Sequence, residues 1–381
     1  MNADGMWSLM TVMVATELPW APVAGHAVER ITEVADRVWP GESVRLIAHV
    51  PSVTSYVARI RVGDRDLYAK YSLLGVSLAS VLRGRHGDWP AVLDAQRRYL
   101  ARAGGVVQRE ADQLRRFTAH GPLRVCPVAA CGGGVLFTEA CEDGVALDRL
   151  LVSVPHHATG LLRQAWRPIT MLQTEPPGQW PVMPERDIAA TFDRKFAAEP
   201  FPTDEIRRDV DPAALDQMRL VVNRLREHRF ACAGRVMVFG EVKPEHVIMT
   251  GGGPRYLDPG VHRAAPAAEL AKFVSRCLLL VTAHAPSGAA RRGILAGLTR
   301  LIADEGAATR ALMALLARDT VNILFTYLTV PGSLPLPGTA AAILERIGVV
   351  VSLLDHATER LWRDADPWEV WDLAVAEAVS A

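Results

Sequence analysis

At 381 residues, half of them apolar, the chain is long enough for two lobes around a sizeable core and too hydrophobic to be intrinsically disordered. Its 42 basic and 42 acidic residues cancel to a formal net charge of zero, which gives no reason to expect nucleic acid or an anionic membrane as partner and leaves small polar molecules open. Only four of the basic residues are lysines, at 70, 195, 243 and 272, against 38 arginines. The Arg and Ala bias points to a GC-rich, actinobacterial genome and makes each lysine a candidate for a place where a compact ammonium is needed.

The five cysteines, Cys126, Cys131, Cys141, Cys232 and Cys277, are odd in number and form no C-x-x-C pair. Neither a disulfide framework nor a zinc site is expected, and a reducing cytoplasm is the plain reading. Residues 1–20 carry an apolar patch but no basic leader, include Glu17, and are too short to span a bilayer. They read as a strand or docking segment. The apolar runs at 277–283 and 347–354 are also well below membrane length and read as buried helix.

Along the chain, residues 23–40 place Val28, Ile31, Val34, Ala35 and Val38 at helical spacing and end at Pro40. From Ser43 the pattern alternates through SVRLIAHV, YVARIRV and DLYAKYS, with turns at 51–55 and at Gly63-Asp64, which predicts three antiparallel strands. Residues 74–104 read as two short helices broken at 84–90, an insertion. The helix that follows sets Val107, Ala111, Leu114 and Phe117 on one apolar face with Glu110 beside it. Residues 124–128 and 134–138 are short strands, followed by EACEDG and the helix-like ALDRLLV. Residues 154–230 hold a helical piece, a Pro-rich break at 175–184 and a long helix begun at Asp211-Pro212. His156-His157 is not read as a metal pair, because adjacent side chains diverge and no third ligand is placed.

Residues 235–260, RVMVFGEVKPEHVIMTGGGPRYLDPG, alternate loop, strand, turn, strand, loop. They hold Glu241, a lysine two residues on at Lys243, and Asp258 17 residues after the first acid. Phosphoryl transfer uses that arrangement, one carboxylate orienting a hydroxyl nucleophile and the other holding Mg²⁺ on nucleotide phosphates. The remainder is helical at 288–302, 306–317, 319–329 and 339–363, with a Pro/Gly linker at 330–338. The tail brings Trp362, Trp368 and Trp371 beside Asp364, Asp366, Glu369 and Asp372, which suits a cationic acceptor or, more plainly, core packing under a solvated acidic face.

FGEVKPEHVIM followed by YLDPG resembles the catalytic and metal loops of the aminoglycoside phosphotransferase and choline-kinase-like group, usually written H-G-D-x-x-x-x-N and then hydrophobic-D-P/F-G. Residues 242–245 also resemble the L-K-P-E of protein-kinase catalytic loops. Gly240 and Asp258 match; Phe239 stands where His is usual, Glu241 where Asp is usual and His246 where Asn is usual. Residues 266–273 resemble the D-L-A helix that follows in the group, with Glu269 where Asp is usual.

The resemblance implies an α+β, bilobal protein-kinase-like fold. Residues 1–140 would form a small antiparallel-sheet N-lobe with the leading helix, the 74–104 insertion and the helix carrying Glu110. Residues 141–381 would form a larger, mostly helical C-lobe with its catalytic and metal loops at 239–260 and an inserted helical subdomain at about 154–230. The co-substrate implied is ATP or GTP with Mg²⁺. Lys70, in LYAK, resembles the V-A-I-K lysine that pairs with α/β-phosphates and a helix glutamate; Glu110, the first Glu after it, would be its partner. Ser52, Thr54 and Ser55 would lie over the phosphates, although a glycine-free turn reads equally as an ordinary hairpin closure. Glu139, Ala140 and Cys141 would hold the base through the main chain. Asp258 and, less well, His246 would hold the metal, Lys243 would neutralise the γ-phosphoryl, and Glu241 would accept the acceptor's hydrogen bond.

The implied function is an ATP- or GTP-dependent O-phosphotransferase passing the γ-phosphate to a hydroxyl of a small molecule, an antibiotic or natural-product intermediate. The departures at 239, 241 and 246 keep a pseudokinase open, a nucleotide-binding or scaffold module. The K-P-E segment keeps open a kinase acting on Ser/Thr of a peptide.

Overall fold

The computed structural model describes residues 17–141, 143–174, 180–196, 201–207, 210–227, 234–284 and 286–380, so most of the apolar patch at 1–20 lies outside the described residues. In the N-lobe, helix α1 (Trp20–Val38) buries Val23, Ala27, Ile31, Val34 and Ala35, one stripe at helical spacing. The stripe lies against an antiparallel sheet of order β1-β2-β3-β5-β4. Strands β1 (Val44–Val50), β2 (Tyr56–Val62) and β3 (Arg65–Tyr71) are the three that the alternation predicts. Strand β3 buries Leu67, Ala69 and Tyr71 on the α1 side, which by the two-residue period turns Lys70 to the opposite face.

Helices α2 (Leu78–Leu82) and α3 (Trp89–Leu100) fill the insertion, and α3 is capped by the Asp88 side chain. The first N–H groups of α2 donate back to the 51–55 loop, Leu78 to the Thr54 carbonyl at 3.1 Å and Ala79 to Val53 at 3.2 Å. Helix α4 (Val106–His120) turns its apolar face, with Glu110 beside it, toward the C-lobe core. Strands β4 (Val128–Gly132) and β5 (Val135–Glu139) complete the sheet. The strand expected at 124–128 is displaced: Pro127 has no N–H for a ladder, and Arg124 instead accepts the Tyr256 N–H at 2.9 Å.

Cys126 and Cys141 form a disulfide with their Cα atoms 6.7 Å apart, against the expectation of none. They sit at the open ends of the β4–β5 hairpin, whose register brings residues 15 apart in sequence side by side. Cysteine count and spacing carry no trace of that register.

The C-lobe packs around α9 (Pro266–His284), buried over most of its length. Strand β6 (Gly144–Ala146) leads into α5 (Leu147–Ser153) and α6 (Ala158–Thr174), followed by α7 (Ile188–Phe196) and α8 (Pro212–Glu227). Then come β7 (Val236–Val238), β8 (Val247–Thr250), β9 (Gly253–Tyr256) and β10 (His262–Ala264). Strand β8 pairs with both β6 and β9, while β7 pairs with β10. The remaining helices are α10 (Gly288–Asp304), α11 (Arg310–Leu328), α12 (Gly338–Glu345), α13 (Ile347–Trp362) and α14 (Pro367–Ser380).

Two helix boundaries differ from expectation. Helix α11 is continuous where a break near 318 was predicted, because Asp319 is an interior polar residue that accepts from Ser275 Oγ at 2.5 Å. Helices α12 and α13, expected as one, part at Arg346, whose backbone leaves the helical region (φ −114°, ψ 24°). In the tail, Trp371 is fully buried and donates to Thr299 Oγ1 at 2.8 Å, while Trp362 is half exposed beside Glu227.

Of the linker expected at 330–338, residues 330–337 form a packed strap and Gly338 begins α12. Val330 and Leu334 are buried in the same cluster as α1 and the N-lobe sheet. Val53 of the 51–55 loop and Leu336 of the strap pack on both that cluster and the one formed by α7, α8 and α11 to α13.

Candidate active site

Three chain-distant residues converge between the lobes. Lys70, at the end of β3, donates to Glu110 Oε2 on α4 at 2.7 Å and also to Asp258 Oδ1 in the loop after β9. Glu110 is 3% exposed. Burial works against all three charges; at Asp258 the nearby Lys70 and Arg186 outweigh it and hold the carboxyl well below its usual range. Lys70 stays cationic for the same reason, with Asp258 and then Glu110 opposing its desolvation. Asp258 has a φ of 55°, a left-handed conformation that costs a non-glycine residue about 1–3 kcal/mol and recurs at functional sites. Hydrogen bonds on either side hold it there, from Leu257 N to the His246 carbonyl and from Gly260 N to the Phe239 carbonyl, both 2.9 Å.

The loop carrying Glu241 is anchored from α9. Gly240 has a φ of +84°, and a Cβ there would overlap the Gly260 carbonyl, so only glycine fits. Its N–H donates to both oxygens of Glu269, at 2.9 and 3.1 Å, and its carbonyl accepts from Lys272 Nζ at 2.5 Å. Phe239 is wholly buried between Phe117 and Tyr256, with ring centroids 5.6 and 5.7 Å away. The loop is therefore fixed by packing at 239 and by α9 at 240.

Glu241 itself is ringed by cations. Lys243 Nζ lies 2.6 Å from Oε2; Arg186 Nη1 and Lys272 Nζ lie 3.1 and 3.6 Å from Oε1. Burial would raise this carboxyl, but the three cations hold it well below the usual range. It is a poor proton acceptor and a firm hydrogen-bond acceptor. Arg186 is the residue that sequence reasoning missed: it ends a single 3₁₀ turn (Pro184–Arg186) in the segment before α7, and nothing distinguishes it among 38 arginines. Lys272 was visible only as one of four lysines.

His246 Nδ1 is buried without a hydrogen-bond partner and stands 3.8 Å from Asp258 Oδ2. Burial, with Lys243 adding to it, lowers the imidazole pKa and keeps the ring neutral. One carboxylate and one imidazole nitrogen fit a divalent cation that takes its other ligands from phosphate and water. Among the described residues no group of three or more His, Cys, Asp or Glu could hold a metal by itself.

The other predicted positions are less open. Ser55 is buried, Ser52 Oγ and Thr54 Oγ1 lie 3.2 Å apart, and Thr54 N donates to Ser52 Oγ at 3.3 Å, the geometry of a self-closed turn. In the 139–141 segment, Glu139 N donates to Pro127 O at 3.0 Å and Ala140 N to Asp66 O at 3.2 Å, while Cys141 is in the disulfide. Two of the expected main-chain donors are thus engaged by the fold itself.

No family model and no curated protein matches the sequence. Among solved structures, a thermostable mutant of an aminoglycoside phosphotransferase, in ternary complex with AMP-PNP and hygromycin B, aligns over 84% of this chain and 97% of its own, at 12% identity and a TM-score of 0.50. The chain has the protein-kinase-like fold of the aminoglycoside phosphotransferases. A choline/ethanolamine kinase family protein from Mesorhizobium loti aligns over 92% of this chain and 100% of its own (11% identity, TM-score 0.45). An aminoglycoside-3'-phosphotransferase of type VIII aligns over 78% and 98% (19% identity, TM-score 0.46). Within this fold the cluster of Lys70, Glu110, Glu241 and Asp258 lies where the two lobes meet.

Proposed function

We propose that the chain is an ATP- or GTP-dependent O-phosphotransferase whose acceptor is a hydroxyl of a small molecule, of the antibiotic or natural-product kind. The observation that carries this is Lys70, which joins Glu110 and Asp258 across 188 residues of sequence. That junction supports the reading because it sets side by side an ammonium that would meet phosphates and a carboxylate that would hold a metal. Asp258 and His246 would hold Mg²⁺, which when bound neutralises charge on the β- and γ-phosphates. Lys70 would take the α/β side, with Glu110 fixing its position, and Lys243 would reach the γ side. Glu241 would orient the acceptor hydroxyl. The hydroxyl oxygen attacks the γ-phosphorus as the bond to the β–γ bridging oxygen breaks and the nucleoside diphosphate leaves, and the hydroxyl proton passes late to Glu241. A carboxylate of low basicity suffices for that, because the transition state is loose and the hydroxyl becomes acidic only as the new bond forms.

A non-transferring nucleotide-binding or scaffold module is the second reading, favoured by Glu241, whose carboxylate is already taken up by Lys243, Arg186 and Lys272. Calorimetry with ATP and GTP, with and without Mg²⁺, on wild type and Asp258→Ala tests the first. Binding that requires Mg²⁺ and Asp258, with phosphate appearing on a hydroxylated acceptor or slowly on water, supports transfer. Binding indifferent to both favours the second reading.

A further inference from the structure

Arg186 lies between the two carboxylates that the proposed reaction sets on either side of the γ-phosphoryl. Its Nη1 donates to Glu241 Oε1 at 3.1 Å, and its charge is sustained against burial by Glu241, Asp258 and Glu110 in that order. Glu241 already has Lys243 at 2.6 Å and Lys272 at 3.6 Å, so neutralising it does not call for a third cation.

The segment that delivers Arg186 is built into the site at both ends. Met183 N donates to Val261 O at 2.7 Å, Arg186 N to Met183 O at 3.0 Å, and Lys272 Nζ to Arg186 O at 3.3 Å. From α4, the helix of Glu110, Arg109 bonds Glu185 Oε1 at 2.5 Å and the Val182 carbonyl at 3.0 Å, and Gln113 bonds the Pro181 carbonyl. The Arg186 stem rests on Gly260: a Cβ there would stand 3.0 Å from Arg186 Cγ and 3.2 Å from Glu241 Cγ. Gly260 thus leaves the room in which both side chains reach the same space.

We propose that Arg186 is an arginine supplied in cis by the segment before α7 to bond the transferring γ-phosphoryl, an inference that rests on the phosphotransferase reading. A guanidinium presents its donors as a planar fork, so one arm can stay on Glu241 while another meets an equatorial phosphoryl oxygen. Negative charge spreads over those oxygens as the bond to the leaving diphosphate breaks and the bond to the acceptor forms. Arg186 takes no proton in the step.

The full chain is titrated with ADP and Mg²⁺, with and without fluoroaluminate as the planar phosphoryl mimic, as wild type, Arg186→Lys and Arg186→Met. ADP alone should bind all three within about twofold, and fluoroaluminate should tighten the wild type but lose about tenfold or more of that gain in both variants. An unchanged gain in Arg186→Lys or Arg186→Met overturns the proposal, as does a wild type that binds ADP without responding to fluoroaluminate. Arg186→Lys keeps a cation beside Glu241 and serves if Arg186→Met fails to fold. A wild type that binds no ADP overturns the phosphotransferase reading itself, a distinguishable failure.

Discussion

Glu269 closes on Gly240: both of its carboxylate oxygens accept the Gly240 N–H, at 2.9 and 3.1 Å, in a buried setting at the first turns of α9. A carboxylate there is also favoured by the helix N-terminus. The contact ties the loop of Glu241 to α9, a C-lobe helix buried over most of its length. Glu269→Ala leaves a buried N–H unpaired and should cost about 1–3 kcal/mol, whereas Glu269→Gln keeps an acceptor and should cost less. Burial pushes the Glu269 carboxyl from 4.5 up to about 7. A raised folded-state value means that the native state holds the proton more tightly. Its stabilising contribution is complete below the unfolded value and is lost as pH rises through about 7. Urea midpoints at pH 5 and pH 8 should therefore fall with pH through this group in wild type and do so less in Glu269→Gln; equal slopes would rule the assignment out.

The partnerless Nδ1 of His246, 3.8 Å from Asp258, bears on metal choice. An imidazole nitrogen suits Mn²⁺ better than Mg²⁺, which prefers oxygen ligands. Wild type should bind ATP more tightly with Mn²⁺ than with Mg²⁺, and His246→Asn should shift that ratio toward Mg²⁺ by about tenfold, the scale of a ligand-sphere change. Calorimetry with each metal reads the ratio directly. The same ratio in both proteins would remove His246 from the ligand set.

Lys195 extends from α7 to α11, where its ammonium donates to Asn322 O at 2.7 Å and Thr326 Oγ1 at 2.6 Å. Burial, with Arg194 adding to it and Asp319 opposing, lowers its pKa to about 7. A depressed folded-state value contributes stability above the unfolded value of 10.5, and that stability is lost as pH falls toward about 7. Lys195→Met removes the desolvated ammonium, so its gain in Tm over wild type should be larger at pH 6 than at pH 9. Thermal melts at the two pH values check this; a gain that is equal or larger at pH 9 contradicts it.

What the sequence reveals here is what local pattern can carry. Strand β2 is buried at every second residue and β3 nearly so, as alternation predicts, while β1 carries a bulge between Leu46 and Ala48; the Lys70–Glu110 pair was legible because lysines are scarce and no other Glu lies between them. Glu241 and Asp258 were legible because motif and turn lie in one 26-residue stretch, 235–260. Arg186 was hidden among many arginines and enters the site through tertiary contacts with α4 and Val261. The Cys126–Cys141 pairing depends on the β4–β5 register, and the pairing of β7 with β10 joins three-residue strands too short to show a period. Phe239 departs from the usual histidine, yet its burial against Phe117 and Tyr256 replaces a polar anchor with packing.

The strap at 330–337 offers the sharpest check on how the lobes are joined. Its Leu334 is 3% exposed and belongs to the N-lobe cluster, although the chain on either side of the strap belongs to C-lobe helices α11 and α12. A loop that merely connected helices would tolerate truncation of this side chain. Leu334→Ala should instead cost about 2–5 kcal/mol, the usual range for emptying a buried leucine site. Since Leu336 and Val53 each pack on both clusters, the loss should also reach the 51–55 loop. Hydrogen exchange should show faster exchange at 51–55 in the variant, and the urea midpoint should fall. A cost below about 0.5 kcal/mol, the range of an ordinary surface change, would mean that the strap is not part of the N-lobe core.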